Sequence, residues 1–280
     1  MMELRYYEDI NSFLADTRAE LLAHETENTL IMSILLHIQK DPSYYKEKYL
    51  AAVFEDKKVS AIAVCTPPFK ILLYSNIITP SEQIRLIAED VQKRITIPGI
   101  LAASEHSLLF AEIWQNLTGI SFKLGMSERI YKLEKVTFPR KVSGEMRIAT
   151  LADLELICKW MLEFHDEAIP NDPLTEFSDF ATKKIENSDI FFWEDNEIVS
   201  MVSKARPNIN GISVNLVYTP ANFRRKGYAS ALVAQLSQKL LDAGWKYITL
   251  FTDLSNPTSN SIYQKIGYRP FCDFQEYNFV

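Results

Sequence analysis

The stretch RRKG, residues 224–227, places three cations before a glycine in a chain with a formal net charge of −6. An alternating strand pattern over 212–218 precedes it, and an apolar pattern with helical spacing over 227–243 follows. A helix start offers free backbone N–H groups and the positive end of the helix dipole, which favour a bound anion. Cationic side chains add charge-assisted hydrogen bonds, and a glycine lets the backbone approach closely. This order predicts a phosphate-binding loop.

Two common phosphate-binding motifs do not fit this loop. No glycine stands at Walker spacing before a Gly-Lys-Ser/Thr, and the sequence contains no Gly-x-Gly for a dinucleotide fingerprint. A short charge run taken alone more often forms a solvated loop. The interpretation therefore depends on a second motif.

That second motif is NPTSNSIYQKIGY, residues 256–268. Asn256 and Pro257 are typical of a helix start, so Asn256 is expected to be the N-cap. The spacing of Asn256, Asn260 and Tyr263 places all three on one stripe of the predicted helix. The alternatives are that Asn256 is only a cap and that Tyr263 is only a core aromatic.

Taken together, the two stretches resemble the GNAT N-acetyltransferase superfamily. Arg224-x-x-Gly227-x-Ala229 is similar to its acetyl-CoA signature, and 256–268 is similar to its second motif. The resemblance covers roughly 145–280. It implies an α/β (α+β) fold, a twisted mixed sheet flanked by helices, whose fourth and fifth strands splay apart to admit the pantetheine arm of acetyl-CoA.

The resemblance also implies residue roles. Tyr263 would be the general acid that protonates the departing thiolate, while strand 212–218 contains no Glu or Asp that could act as a general base. The expected cofactor-binding residues are Leu216 and Val217 on the pantetheine, Arg224, Arg225, Lys226, Gly227, Tyr228 and Ala229 around the pyrophosphate, and Asn256 and Asn260 beside the pantetheine arm.

The implied activity is acetyl transfer from acetyl-CoA to a primary amine, by direct attack on the thioester. The acceptor would be a small molecule or a peptide, and we expect it to bind between the two halves or at least against the second half near residues 164–167. Within EFHDE (163–167), Glu163, His165 or Asp166 could recognise the acceptor or relay a proton; the alternative is a solvated helix end. Two other functions remain open, a non-catalytic acyl-CoA-binding sensor or interaction module and a purely structural duplication.

Similar passages begin at Phe54 and Trp193, and Thr-Pro pairs recur at nearly the same separation. This repetition predicts two copies of one fold, a degenerate GNAT-like domain over 1–138 and an acetyl-CoA-binding catalytic domain over 139–280. The first copy has Glu82 near its phosphate position and Trp114 about where the second has a tyrosine. An acidic residue repels an anion, so we expect the first copy not to bind acetyl-CoA.

Composition limits the remaining classes. A length of 280 residues with 47% hydrophobic content suits two domains, and the pI near 5.4 argues against a nucleic-acid binder. The three scattered cysteines, the absence of a signal peptide and the short apolar run at 30–38 predict a soluble cytoplasmic protein with no membrane span. No metal site is expected, because His24-Glu25 is followed by Asn28 where a zinc motif needs histidine.

Overall fold

A computed structural model describes residues 1–168 and 177–280. The chain divides into two compact units: Met1–Ile130, Phe251–Asn256 and Pro270–Val280 form the first, and Tyr131–Leu250 and Pro257–Arg269 form the second. The sequence also predicts a polar helix near residues 174–187, and the start of that range lies outside the described residues. Within them no helix has the length and hydropathy needed to cross a bilayer.

The first unit begins with a strand, two helices and three strands, and continues with a helix, a strand, a helix and a strand. Its elements are β1 (Met2–Tyr6), α1 (Ile10–Ala23), α2 (Thr29–Lys40), β2 (Tyr49–Glu55), β3 (Lys58–Cys65), β4 (Ile71–Ser75), α3 (Ser81–Arg94), β5 (Gly99–Ala103), α4 (Ser104–Thr118) and β6 (Phe122–Leu133).

The elements that follow β6 along the chain repeat this order. They are β7 (Glu145–Ile148), a 3-10 turn (Leu151–Asp153), α5 (Leu154–Ala168), α6 (Phe177–Glu186), β8 (Ile190–Asp195), β9 (Glu197–Ala205), β10 (Gly211–Tyr218), α7 (Tyr228–Asp242), β11 (Tyr247–Asp253), α8 (Pro257–Ile266) and β12 (Arg269–Phe279). A 3-10 turn at Ala221–Phe223 lies between β10 and α7.

The strand order in the first unit is β1-β2-β3-β4-β5-β12-β6, and in the second unit it is β11-β10-β9-β8-β7. In each unit the hairpin strands pair antiparallel and one pair, β4–β5 or β10–β11, is parallel. A parallel pair needs a crossover, which α3 and α7 provide. The sheet of each unit is twisted and flanked by helices, as expected.

Strand residues alternate between the two faces of each sheet and thereby build two core layers. In the first unit Ala51 and Val53 pack with α3 and α4, whereas Leu50 and Ala52 pack with α1 and α2. In the second unit one layer lies under α7 and α8 and the other under α5 and α6. Each sheet is thus packed between two layers of helices, and the connecting loops begin at the ends of these packed strands.

The end of the chain forms one long strand. The pattern of residues 268–279 predicts a strand, a turn and a strand, but β12 is one continuous strand. It pairs antiparallel with β5, from Phe274 with Ala103 to Asn278 with Gly99, and its residues from Pro270 onward belong to the first unit. The first unit therefore includes segments that follow residue 138, and the division into domains over 1–138 and 139–280 stays a prediction.

Candidate functional site

A β-bulge interrupts β10 in the second unit. Between Asn215 and Tyr218 the strand advances one residue more than its partner β9, and Leu216 has a φ of +49°. This backbone region is sparsely populated for residues other than glycine, and such strain concentrates at functional sites. A bulge leaves backbone N–H and C=O groups without a partner in the neighbouring strand, so these groups can hydrogen-bond to a ligand.

The bulge also changes which face Leu216 occupies. Alternation predicts that Ile212, Val214 and Leu216 share one face, yet only Ile212 and Val214 join the core under α7 and α8. Leu216 packs instead against the cluster under α5 and α6, while Val217 packs toward α7 and α8. This prediction was wrong for Leu216 because the extra residue inverts the alternation.

The parallel pairing of β10 with β11 covers the first residues of each strand. It runs from Gly211 with Tyr247 to Ser213 with Thr249, and β10 then continues to Tyr218. The bulge lies in this continuation. The backbone of residues 214–218 is therefore the part of the strand that a bound chain could contact, and the contact of Leu216 and Val217 with a pantetheine arm stays a prediction.

The phosphate-binding loop ends in a helix start of unusual geometry. Gly227 is the N-cap of α7 and has a φ of +91°. Among the described residues, no side chain makes a capping hydrogen bond to this helix start. The first-turn N–H groups of Tyr228 and Ala229 thus have no side-chain cap. A Cβ at Gly227 would lie 3.0 Å from Val142 Cγ1, so both conformation and space favour glycine.

The three cations of the loop differ in their surroundings. Arg224 Nη2 donates to both carboxylate oxygens of Glu167, at 2.9 and 2.7 Å, and its Nε donates to the Thr219 carbonyl at 2.7 Å. Arg225 is exposed and has a φ of +63°. Lys226 is exposed too, with its Nζ 5.4 Å from the centre of the Phe223 ring. Arg224 is therefore paired with a carboxylate.

Tyr228 ties the start of α7 to the β8–β9 hairpin. Its hydroxyl donates to Asp195 Oδ2 at 2.6 Å, and Ser143 donates to the same oxygen at 2.7 Å. These two hydrogen bonds lower the pKa of Asp195. The contact fixes the first turn of the helix, which is a positioning role that the sequence analysis did not foresee.

Tyr263 lies in α8 with only 8% of its surface exposed. Its ring is 6.0 Å from that of Tyr268, and burial raises the pKa of its hydroxyl to about 12. Within residues 1–168 and 177–280 this hydroxyl has no hydrogen-bond partner. The Tyr263 ring is part of the core, and its hydroxyl is protonated at neutral pH. The role of Tyr263 as a general acid stays a prediction.

The two asparagines of the second motif flank the start of α8. Asn256 is exposed and directly precedes Pro257, the first residue of the helix, while Asn260 is half-buried in its first turn. The expected helix start at Pro257 is therefore confirmed. The capping role of Asn256 and the contact of both asparagines with a pantetheine arm stay predictions.

Side chains at the end of α5 form hydrogen bonds with neighbouring elements, so this helix end is not merely solvated. Tyr218 donates to Glu163 Oε2 at 2.8 Å, and burial together with this bond raises the pKa of Tyr218 to about 12. His165 is buried, with its Nδ1 3.4 Å from Asp166 Oδ1. The helix thus contributes two carboxylates, Glu163 and Glu167, to the end of β10 and the loop after it.

Asn215 is a further site residue that the sequence analysis missed. Its Oδ1 is buried, and among the described residues no hydrogen bond reaches it. A buried acceptor without a partner is costly and rare. An asparagine between Val214 and Leu216, immediately before the bulge, is the signal that could have identified it.

The corresponding region of the first unit has different geometry. β4 pairs with β3 in unbroken register from Ala61 with Ser75 to Val64 with Leu72. The helix α3 begins after Pro80 with Glu82 in its first turn. Trp114 is buried in the core. The pairing of β4 with β3 therefore has no bulge, and α3 does not begin at a glycine.

Comparisons with known proteins agree with this geometry. The family model described as FR47-like protein matches residues 200–278, which contain β10, the loop, α7 and α8. No curated protein matches the sequence.

Solved structures resemble the whole chain. A GNAT-family acetyltransferase from Colwellia psychrerythraea is 12% identical, with a TM-score of 0.59 over 99% of this chain and 100% of its own. A GCN5-related N-acetyltransferase from Sphaerobacter thermophilus is 12% identical, with a TM-score of 0.62 over 99% and 94%. A Drosophila protein is 11% identical, with a TM-score of 0.68 over 99% and 98%. The fold is that of the GNAT acetyltransferases, and the predicted resemblance to this superfamily is confirmed.

Proposed function

We propose that this protein transfers an acetyl group from acetyl-CoA to a primary amine, and that its second unit carries the site. The bulge in β10, with Leu216 at a φ of +49°, supports this proposal more than any other observation. Strain of this kind persists only where the surrounding structure enforces it. A strand whose backbone N–H and C=O groups are not all paired with a neighbouring strand can hydrogen-bond to the amide groups of a pantetheine arm.

The start of α7 fits the phosphate end of acetyl-CoA. The first-turn N–H groups after Gly227 point along the helix axis and favour a pyrophosphate, with Arg225 and Lys226 exposed beside them. The orphan Oδ1 of Asn215 suits an N–H donor of a ligand. Arg224 joins the phosphate site by leaving Glu167.

The chemistry needs little more than positioning. Acetyl-CoA supplies an activated thioester, and holding an amine against it in the right orientation removes much of the entropic barrier. Tyr263, protonated at neutral pH, donates to the thiolate as it departs. The proton of the attacking amine passes through water to the carboxylate of Glu163. This carboxylate accepts a hydrogen bond from Tyr218 at the end of β10.

Calorimetry of the full chain with acetyl-CoA tests binding, and an amine panel read out by thiol release tests turnover. We expect one acetyl-CoA per chain and turnover with at least one primary amine. The bulge and the glycine start occur in the second unit, so two equivalent sites would contradict the assignment. Tight binding without turnover on any amine would support the acyl-CoA sensor instead.

A further inference from the structure

A pocket of about 620 Å³ lies in the first unit, beside the ends of the parallel strands β4 and β5. Its walls are the segment before α2, the ends of β4 and β5, the start of α4 and the early part of β12, all of which belong to this unit. The volume falls in the usual range for small-molecule sites, about 300–1,000 Å³. Nothing in the proposed acetyl transfer uses this pocket.

The charge of the walls selects the kind of ligand. Among the described residues that line the pocket there is no lysine or arginine, whereas Glu27, Glu105 and Asp273 contribute carboxylates. Asp273 is balanced by Arg129, whose Nη2 donates to it at 2.7 Å. The carboxylates of Glu27 and Glu105 therefore leave a net negative charge on the walls of the pocket. Such walls repel the phosphates of acetyl-CoA and attract a cation.

Glu27 is one of the carboxylates that line the pocket. Its charge acts to raise the pKa of Tyr74, His106 and Cys272, and its Oε2 is 3.9 Å from His24 Nδ1. Burial lowers the pKa of His106 below its usual value and raises that of the Cys272 thiol to about 12. His106 and Cys272 are therefore neutral at pH 7, and neither cancels the negative charge.

Aromatic and aliphatic side chains complete the walls. The rings of His24 and Tyr74 lie 5.6 Å apart, and the Tyr74 hydroxyl is occupied as a donor to Glu20 at 2.7 Å. Phe274 and Ile31 add apolar surface. An aromatic face attracts a cation, and the apolar surface favours a hydrocarbon body.

We propose that this pocket binds a small organic cation, with an ammonium group beside Glu27 and the Tyr74 ring and an apolar body against Phe274 and Ile31. This inference does not depend on the acetyltransferase activity, because the site has no part in acetyl-CoA binding. It gives the first unit a binding function of its own.

Calorimetry of the full chain without acetyl-CoA tests the ligand class. The probe is 2-phenylethylammonium, compared with neutral 2-phenylethanol and anionic 3-phenylpropanoate. We expect the ammonium to bind about tenfold tighter than the alcohol, since hydrogen bonds to charged groups are the stronger ones, and the anion to bind least. An anion that binds as tightly as the ammonium would overturn the proposal.

Variants and hydrogen exchange then locate the bound probe. Glu27→Gln keeps the shape and removes the charge, so affinity should fall about three- to tenfold given the partial exposure of Glu27. Ala103→Leu should weaken binding by filling the pocket, whereas the exposed Glu8→Gln serves as the control.

The probe should protect backbone amides within residues 24–31 and 101–106 in the unmodified chain. Protection confined to the second unit, or affinity unchanged in both pocket variants, would overturn the proposal. If a variant fails to fold, the exchange map and the ligand series decide the question.

Discussion

The guanidinium of Arg224 is held by the carboxylate of Glu167, with Nη2 at 2.9 and 2.7 Å from its two oxygens. Both side chains are substantially exposed, at 43% and 51%. An exposed pair of this kind is worth only about 0–1 kcal/mol. Under the proposed function, Glu167 would compete with a phosphate for Arg224 without preventing phosphate binding.

Replacing Glu167 by glutamine should tighten acetyl-CoA binding by up to about fivefold, because Arg224 no longer has to leave a charged partner. Arg224→Gln should weaken binding instead. Calorimetry of acetyl-CoA at low salt measures both effects. Glu155→Gln on the same helix is the control, since Glu155 is exposed and has no ion pair within the described residues. Equal affinity in the Glu167 and Glu155 variants would show that the pair does not compete with phosphate.

Gly227→Val should abolish measurable acetyl-CoA binding while the chain still unfolds cooperatively. A side chain here blocks the anion approach and must adopt a φ of +91°, which costs about 1–2 kcal/mol. Gly244→Val is a matched control, because Gly244 has a φ of +101° with open space around its missing Cβ. It should show the same backbone strain and normal affinity. Equal loss of binding in both variants would attribute the effect to strain.

Tyr263→Phe should lower turnover by about 10²–10⁴-fold with little change in acetyl-CoA affinity, because it removes a proton donor and keeps the ring. Single-turnover kinetics and calorimetry separate the two effects. Tyr268→Phe is the control, as it also removes a buried hydroxyl, one within 2.8 Å of Ser237 Oγ. A Tyr263 variant that turns over like the parent, when chemistry limits the rate, would make Tyr263 a packing residue.

The pH profile of turnover should not fall at alkaline pH on account of Tyr263 until well above pH 10. Its pKa is raised to about 12, so the donating form persists across the measurable range. A rate that falls with a midpoint below pH 10, and does so in the parent but not in Tyr263→Phe, would contradict this assignment.

Asp153→Asn should destabilise the second unit by about 1 kcal/mol at neutral pH. Arg147 holds the pKa of Asp153 at about 2, below its usual 3.8, and Asp153 also accepts from the Thr150 backbone at 2.8 Å. A depressed pKa contributes stability above pH 4 that is lost as pH falls toward 2. Denaturant unfolding should therefore show the difference from the parent shrinking over that range. A difference independent of pH would mean that the charge is not responsible.

The sequence by itself determined the local elements of the second unit and their order. The helix starts after Gly227 and at Pro257 follow from residues whose backbone preferences act within a few positions. The hairpin β8–β9 and strand β10 follow from alternation. The resemblance to the GNAT superfamily rested on the same local motifs, which is why it could be found without the structure.

Tertiary structure decided what depends on contacts between distant residues. The bulge at Leu216 arises from pairing with β9, and no local pattern in 212–218 announces it. Arg224 pairs with Glu167, and β12 pairs with β5; in both cases the two segments lie far apart in the sequence. Loop-closure entropy and packing determine which distant residues meet. The spacing of residues along the sequence therefore does not predict these contacts.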